Sequence, residues 1–110
     1  MAIFAGGFDI FLPTLIFVGH GCITGFMNCF PGLHVDLFES FERGDLQKAR
    51  KLFYRIMPLW KLGANPVMVK EALNTLGFSV GHSRKPLPIP SDEDRRKMAE
   101  VLTHLAKAEM

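Results

Sequence analysis

Apolar positions follow two rhythms along this chain, and the rhythm changes near residue 44. Up to there they fall in short runs punctuated by glycine. Ala2 to Ala5 enters Gly6-Gly7-Phe8-Asp9, an apolar run extends from Ile10 to Val18, and Gly19-His20-Gly21 leads into Cys22-Ile23-Thr24-Gly25. A short β-prone run ending at a glycine corner predicts a strand that feeds a turn. The pattern therefore predicts a strand over 2–5, a helix over 11–18 with Pro13 in its first turn, and a second strand over 22–25. Pro31 opens a helix that places Leu33, Leu37, Phe38 and Phe41 on one face, and Gly44 sits just past its end.

From Asp45 onward the spacing is helical throughout. Asp45 is a cap residue for a helix with an apolar stripe of Leu46, Ala49, Leu52, Phe53, Ile56 and Met57. Pro58 should kink or end it near Leu62-Gly63. Asn65-Pro66 is a cap followed by proline at the first helical position, and this helix should run to about Leu76 before Gly77. Residues 79–90 read as a loop rich in Pro and Gly. Ser91-Asp92-Glu93-Asp94 resembles a capping box with Asp in place of Glu. The last helix puts Met98, Val101, Leu102 and Leu105 on its inner face. The order is βαβα followed by three helices.

Charge sharpens the division. No Lys or Arg occurs before Arg43, so all 13 basic residues lie in the last 68 positions, while the residues before it hold only Asp9, Asp36, Glu39 and Glu42. A net charge of +2 on 110 residues argues against general nucleic-acid binding. Lys48, Arg50, Lys51 and Arg55 read as a solvated helix face. A basic-free start does not fit a signal peptide. The longest apolar run, Ile10 to Val18, is well short of the roughly 20 residues of a membrane span. Cys22 and Cys29 form no CxxC pair and have no histidine at zinc spacing, so two free thiols in a reducing cytoplasm are expected, with no metal and no cofactor.

The stretch from Gly19 to Pro31 is the best candidate for a site. Thr24 and Asn28 stand at the exit of a strand, where α/β proteins place ligand contacts. The competing reading of Asn28 is that it fixes the turn, and that of Asp9 is that it caps the following helix. His20, His34, His82 and His104 have no partner at catalytic or metal spacing. Two parallel strands cannot cover their own faces or satisfy their own edges, so the pattern looks like the end of something larger.

The run Gly21-Cys22-Ile23-Thr24-Gly25 with Asn28 and Pro31, then Arg43-Gly44-Asp45 with Ala49, resembles the dihydrodipicolinate synthase / N-acetylneuraminate lyase family. So do Met57-Pro58-Leu59, Asn65-Pro66 with Lys70, Leu76-Gly77, and Arg84 with Pro86-Leu87 and Pro90. The resemblance covers essentially the whole chain. It implies an α/β fold, part of a (β/α)8 TIM barrel: the last two βα units over 1–44, then a C-terminal three-helix extension over 45–110. A full barrel of this kind takes about 250 residues.

The resemblance implies a class I lyase that forms a Schiff base between a strand lysine and pyruvate or another 2-keto acid, with a tyrosine as proton relay. Such a lysine works because desolvation frees its amine as a nucleophile. No residue here matches those elements. Lys70 matches a position in the helical extension, and Tyr54, the single tyrosine, lies mid-helix. No catalytic residue is assigned to this chain. Substrate contacts are implied for Gly7 and Asp9, at the end of the family's seventh strand, and for Ile23 and Thr24 at the eighth, with Ile23 acting through its backbone. Phe26-Met27 suggests an altered pocket edge. The substrate implied leans toward a sugar acid or hydroxy keto acid, and a homo-oligomer is expected. The competing reading is a short, non-catalytic protein that self-associates or docks onto a partner barrel.

Overall fold

The computed structural model describes residues 1–108, so the last two positions of the extension, 109–110, lie outside the described residues. The architecture is α/β, with β1 (Phe4–Ala5), α1 (Phe11–Ile16), β2 (Gly21–Cys22), α2 (Pro31–Glu42), α3 (Leu46–Trp60), α4 (Pro66–Thr75) and α5 (Asp92–Ala108). Short 3-10 turns at Phe8–Ile10 and Gly25–Asn28 follow each strand. β1 and β2 pair in parallel, with Phe4 opposite Gly21 and Ala5 opposite Cys22.

Both strands are shorter than their sequence runs, and the second begins one residue earlier than expected. The Ile23 N–H still bonds the Ala5 carbonyl at 2.9 Å, but Gly25 starts a turn at once, so Ile23 and Thr24 lie beyond the ladder. The first helix also stops early, at Ile16 rather than Val18. Val18 takes a left-handed φ of 68°, and the Gly19 N–H reaches back to the Thr14 carbonyl at 2.7 Å. With the Val18 N–H on the Leu15 carbonyl, this is a Schellman closure. The same closure ends α2 at Gly44 and α4 at Gly77, with glycine in the left-handed place.

Helix starts follow the sequence closely. Asp45 and Asn65 accept from the backbone N–H groups of Lys48 and Met68 at 3.1 and 3.0 Å. Ser91 and Asp94 exchange hydrogen bonds at 3.1 and 3.2 Å, which makes the expected capping box real. Pro58 does not end α3. It lacks the N–H that would reach the Tyr54 carbonyl, yet Lys61 N–H bonds Met57 at 3.0 Å and the helix runs to Trp60.

The core forms two clusters. Phe8, Phe11, Leu12 and Leu15 meet Leu37 of α2 and the Ala49, Leu52, Phe53 and Ile56 stripe of α3. Phe8 stacks on Phe53 with ring centroids 5.1 Å apart. The second cluster joins Phe26 and Leu59 to Met68, Val69 and Ala72 of α4 and Met98, Leu102 and Leu105 of α5. Leu33 packs against both. Each cluster draws side chains from both sides of residue 44, so α3 and α4 support the turns that leave the two strands.

Candidate functional site

Parallel pairing fixes where the candidate residues go. With Ala5 opposite Cys22, the exits of β1 and β2 lie side by side, and Gly7, Asp9, Ile23 and Thr24 all follow the carboxyl ends of their strands. The Gly7 carbonyl ties the two exits together. It accepts the Ile10 N–H at 3.4 Å and the Cys22 thiol at 3.5 Å.

Gly7 is buried in extended backbone, and the reason for glycine is space rather than dihedral freedom. A β-carbon there would stand 2.9 Å from Asp9 Oδ1 and 3.0 Å from the Trp60 ring. Trp60, the last residue of α3, thus sets the depth of the corner that carries Asp9. Sequence reasoning missed it, because only the tertiary contact shows its role. Asp9 itself is exposed, and α1 starts without a side-chain cap, so the capping reading of Asp9 does not hold.

At the second exit, Ile23 presents its side chain to solvent, while Thr24 Oγ1 is enclosed and has no hydrogen-bond partner. Asn28 donates to the Gly25 carbonyl at 2.9 Å, which fixes the turn as the structural reading of that residue expected. Gly25 lies against α4, where a β-carbon would come within 2.8 Å of Val69 Cγ2. Phe26 is not a pocket edge. It is buried in the second core cluster, held there by the Gly25 turn. Met27 instead lines a cavity beside β2.

The electrostatics near the exits are those of neutral thiols. Burial, and then the charge of Asp9, push Cys22 up to about 11, and burial alone pushes Cys29 up to about 11. Behind the sheet His34 is buried, with Nδ1 2.7 Å from the Phe30 carbonyl and its ring edge-on to Phe8 at 5.3 Å. A carbonyl only accepts, so Nδ1 carries the proton and Nε2 is a buried acceptor without a partner. Burial lowers the His34 pKa. Lys70 Nζ donates to the His82 carbonyl at 3.2 Å, a strut between α4 and the 79–90 loop, and Tyr54 is exposed on α3. Among the described residues no group of three His, Cys, Asp or Glu could hold a metal ion, and no helix is long and apolar enough to cross a membrane.

The sequence model of the dihydrodipicolinate synthetase family matches residues 1–105. The chain belongs to that family. It is 35% identical over 103 residues to the 4-hydroxy-tetrahydrodipicolinate synthase of Caldicellulosiruptor bescii, covering 91% of this chain and 35% of that protein. To the synthase of Archaeoglobus fulgidus it is 36% identical over 97 residues, covering 86% of this chain and 34% of the other. Among solved structures, the dihydrodipicolinate synthase of Thermotoga maritima superposes with a TM-score of 0.90 at 30% identity, over 96% of this chain and 37% of that one. A dihydrodipicolinate synthase crystal structure gives a TM-score of 0.89 at 32% identity, covering 96% of this chain and 38% of the other. The chain thus spans about a third of the length of the dihydrodipicolinate synthases it matches.

Proposed function

We propose that this chain forms one wall of the keto-acid site of a Schiff-base aldolase of the dihydrodipicolinate synthase type. In this reading it corresponds to the last two strand–helix pairs of the barrel and the helical extension behind them. Gly7 and Asp9 border the distal end of the substrate, and the Ile23 backbone and Thr24 hydroxyl border the 2-keto acid, pyruvate being the simplest. The nucleophilic lysine and the proton relay come from elsewhere in the barrel.

The observation that carries this reading is the side-by-side exit of the two parallel strands. It sets an enclosed, unpartnered Thr24 hydroxyl at the end of one and the Gly7–Asp9 corner at the end of the other. A polar group enclosed without a partner is disfavoured, and a turn of the Thr24 side chain toward the strand exit would bring its hydroxyl to a ligand and remove the penalty. The curated relatives are named for the synthase reaction, which favours condensation onto pyruvate over sugar-acid cleavage.

Incubation with pyruvate and borohydride, followed by mass analysis of tryptic peptides, tests the proposal. No adduct is expected on this chain alone, and none on Lys70. An adduct on this chain would place the nucleophile here and overturn the division of roles.

A second reading is a non-catalytic protein that self-associates or docks onto a partner. The exposed Ile3, Phe4 and Ile23 around a two-stranded sheet favour it.

A further inference from the structure

Among the described residues no ion pair and no hydrogen bond holds the Asp9 carboxylate. What fixes it is contact. The point that a β-carbon on Gly7 would fill lies 2.9 Å from Asp9 Oδ1 and 3.0 and 3.3 Å from Cη2 and Cζ2 of Trp60. Carboxylate and indole flank that one point, and glycine puts no side chain between them. The same corner is tied to the second exit, since the Gly7 carbonyl accepts the Cys22 thiol at 3.5 Å. The charge of Asp9 reaches that thiol and helps to raise it.

Trp60 is held from behind. It is half-buried, packs against the first core cluster, and ends a helix anchored there by Phe53 and Ile56. The ring atoms that face Gly7 are carbons, so they give the carboxylate bulk and no donor. The indole thus bars Asp9 from folding back toward α3 and leaves both oxygens open as acceptors.

We infer that Trp60 is a positioning residue for substrate selection: its indole keeps the Asp9 carboxylate forward at the strand exit, where it accepts a hydrogen bond from a hydroxyl or ammonium group on the aldehyde that the 2-keto acid joins. The inference rests on the aldolase reading above. A site with a fixed acceptor discriminates against an aldehyde that lacks the donor, because the acceptor is then left unpaired. Handling of the keto acid at the other strand exit is untouched.

Two experiments test it. Trp60 is the one tryptophan of the chain, so its emission reports on the contact. Acid titration of the full chain, over the range where circular dichroism holds constant, should show a step in emission that Asp9→Asn removes. No step, or the same step in Asp9→Asn, would overturn the inference. The second uses a complete barrel in which this chain replaces the matching third of the Caldicellulosiruptor synthase. Its preference in kcat/KM for glyceraldehyde over propanal should fall about tenfold in Trp60→Leu, the loss of one hydrogen bond to a charged group. Asp9→Asn should match that loss, the double variant should lose no more, and Trp60→Phe should keep most of the preference. Pyruvate–borohydride trapping should stay unchanged in all of them. A purely structural Trp60 would slow both aldehydes alike, and that result, or losses that add, would overturn the inference alone. Absence of any adduct in the unsubstituted barrel would remove the aldolase reading and the inference with it.

Discussion

The indole of Trp60 rests where a side chain on Gly7 would have to go: a β-carbon on Gly7 would lie 3.0 Å from its ring. Asp9 Oδ1 crowds the same point from the other side at 2.9 Å. The carboxylate is exposed and can swing away, but the indole packs against the first core cluster and yields less readily. Gly7→Ala should destabilise the fold by about 1–3 kcal/mol, the usual range for overpacking. Urea unfolding measures this. Trp60→Leu combined with Gly7→Ala should recover part of the loss, because the indole is the group that resists.

Val18 predicts the opposite sign. It closes α1 at φ 68°, in the position that Gly44 and Gly77 hold at the ends of α2 and α4. A left-handed conformation disfavours an L residue by about 1–2 kcal/mol. The side chain is 82% exposed, so little packing is lost with it. Against this, glycine frees the unfolded chain by about 0.4–1 kcal/mol. Val18→Gly should therefore raise stability by a few tenths to about 1 kcal/mol. The neighbouring Gly19→Ala should lower it, since its β-carbon would meet the Thr14 carbonyl oxygen at 2.7 Å and the Thr14 methyl closer still. Thermal melts of the two variants should move in opposite directions.

These two positions also mark where the sequence was legible and where it was not. Helix starts at Asp45, Asn65 and Ser91 and stops at Gly44 and Gly77 follow from side chains that act on their own backbone, so local reading finds them. Val18 escapes that reading because a β-branched residue is the least expected in a left-handed cap. Strand ends shift because one neighbouring strand sets them, with Ile23 still bonded to Ala5 and Gly25 already turning. At the site, the spacing of Gly7, Asp9, Ile23 and Thr24 was visible. Trp60 against Gly7 and Val69 against Gly25 were not, because both contacts join segments distant in sequence.

The thiols and His34 set the pH limits. Cys22 and Cys29 are raised from 9.0 to about 11 in the fold, so between those values the unfolded chain releases protons that the folded chain keeps. Their contribution is complete below pH 9 and is lost as pH rises through about 11. His34 is lowered from 6.5, so the unfolded chain binds its proton first. Its contribution is complete above pH 6.5 and is lost as pH falls through the lower folded value. Urea midpoints against pH should therefore decline on both sides of neutrality. Cys22→Ala should flatten the alkaline limb and His34→Gln the acid limb. A profile unchanged by both variants would mean that neither environment is as enclosed as the structure has it.

Thr24 separates binding from folding. Its hydroxyl oxygen is enclosed with no partner, so the fold gains nothing from it. Thr24→Val keeps the shape and removes the unsatisfied group, and stability should stay level or rise by up to about 1 kcal/mol. If the hydroxyl meets the 2-keto acid, a complete barrel that includes this chain should lose affinity for pyruvate by about tenfold, the loss of one hydrogen bond to a charged ligand. Thr24→Ser keeps the hydroxyl and should retain most of that affinity. Melting curves read the first effect and pyruvate dependence of borohydride trapping reads the second. Loss of stability with unchanged trapping would make Thr24 a packing residue and move the keto-acid contact elsewhere along the strand exit.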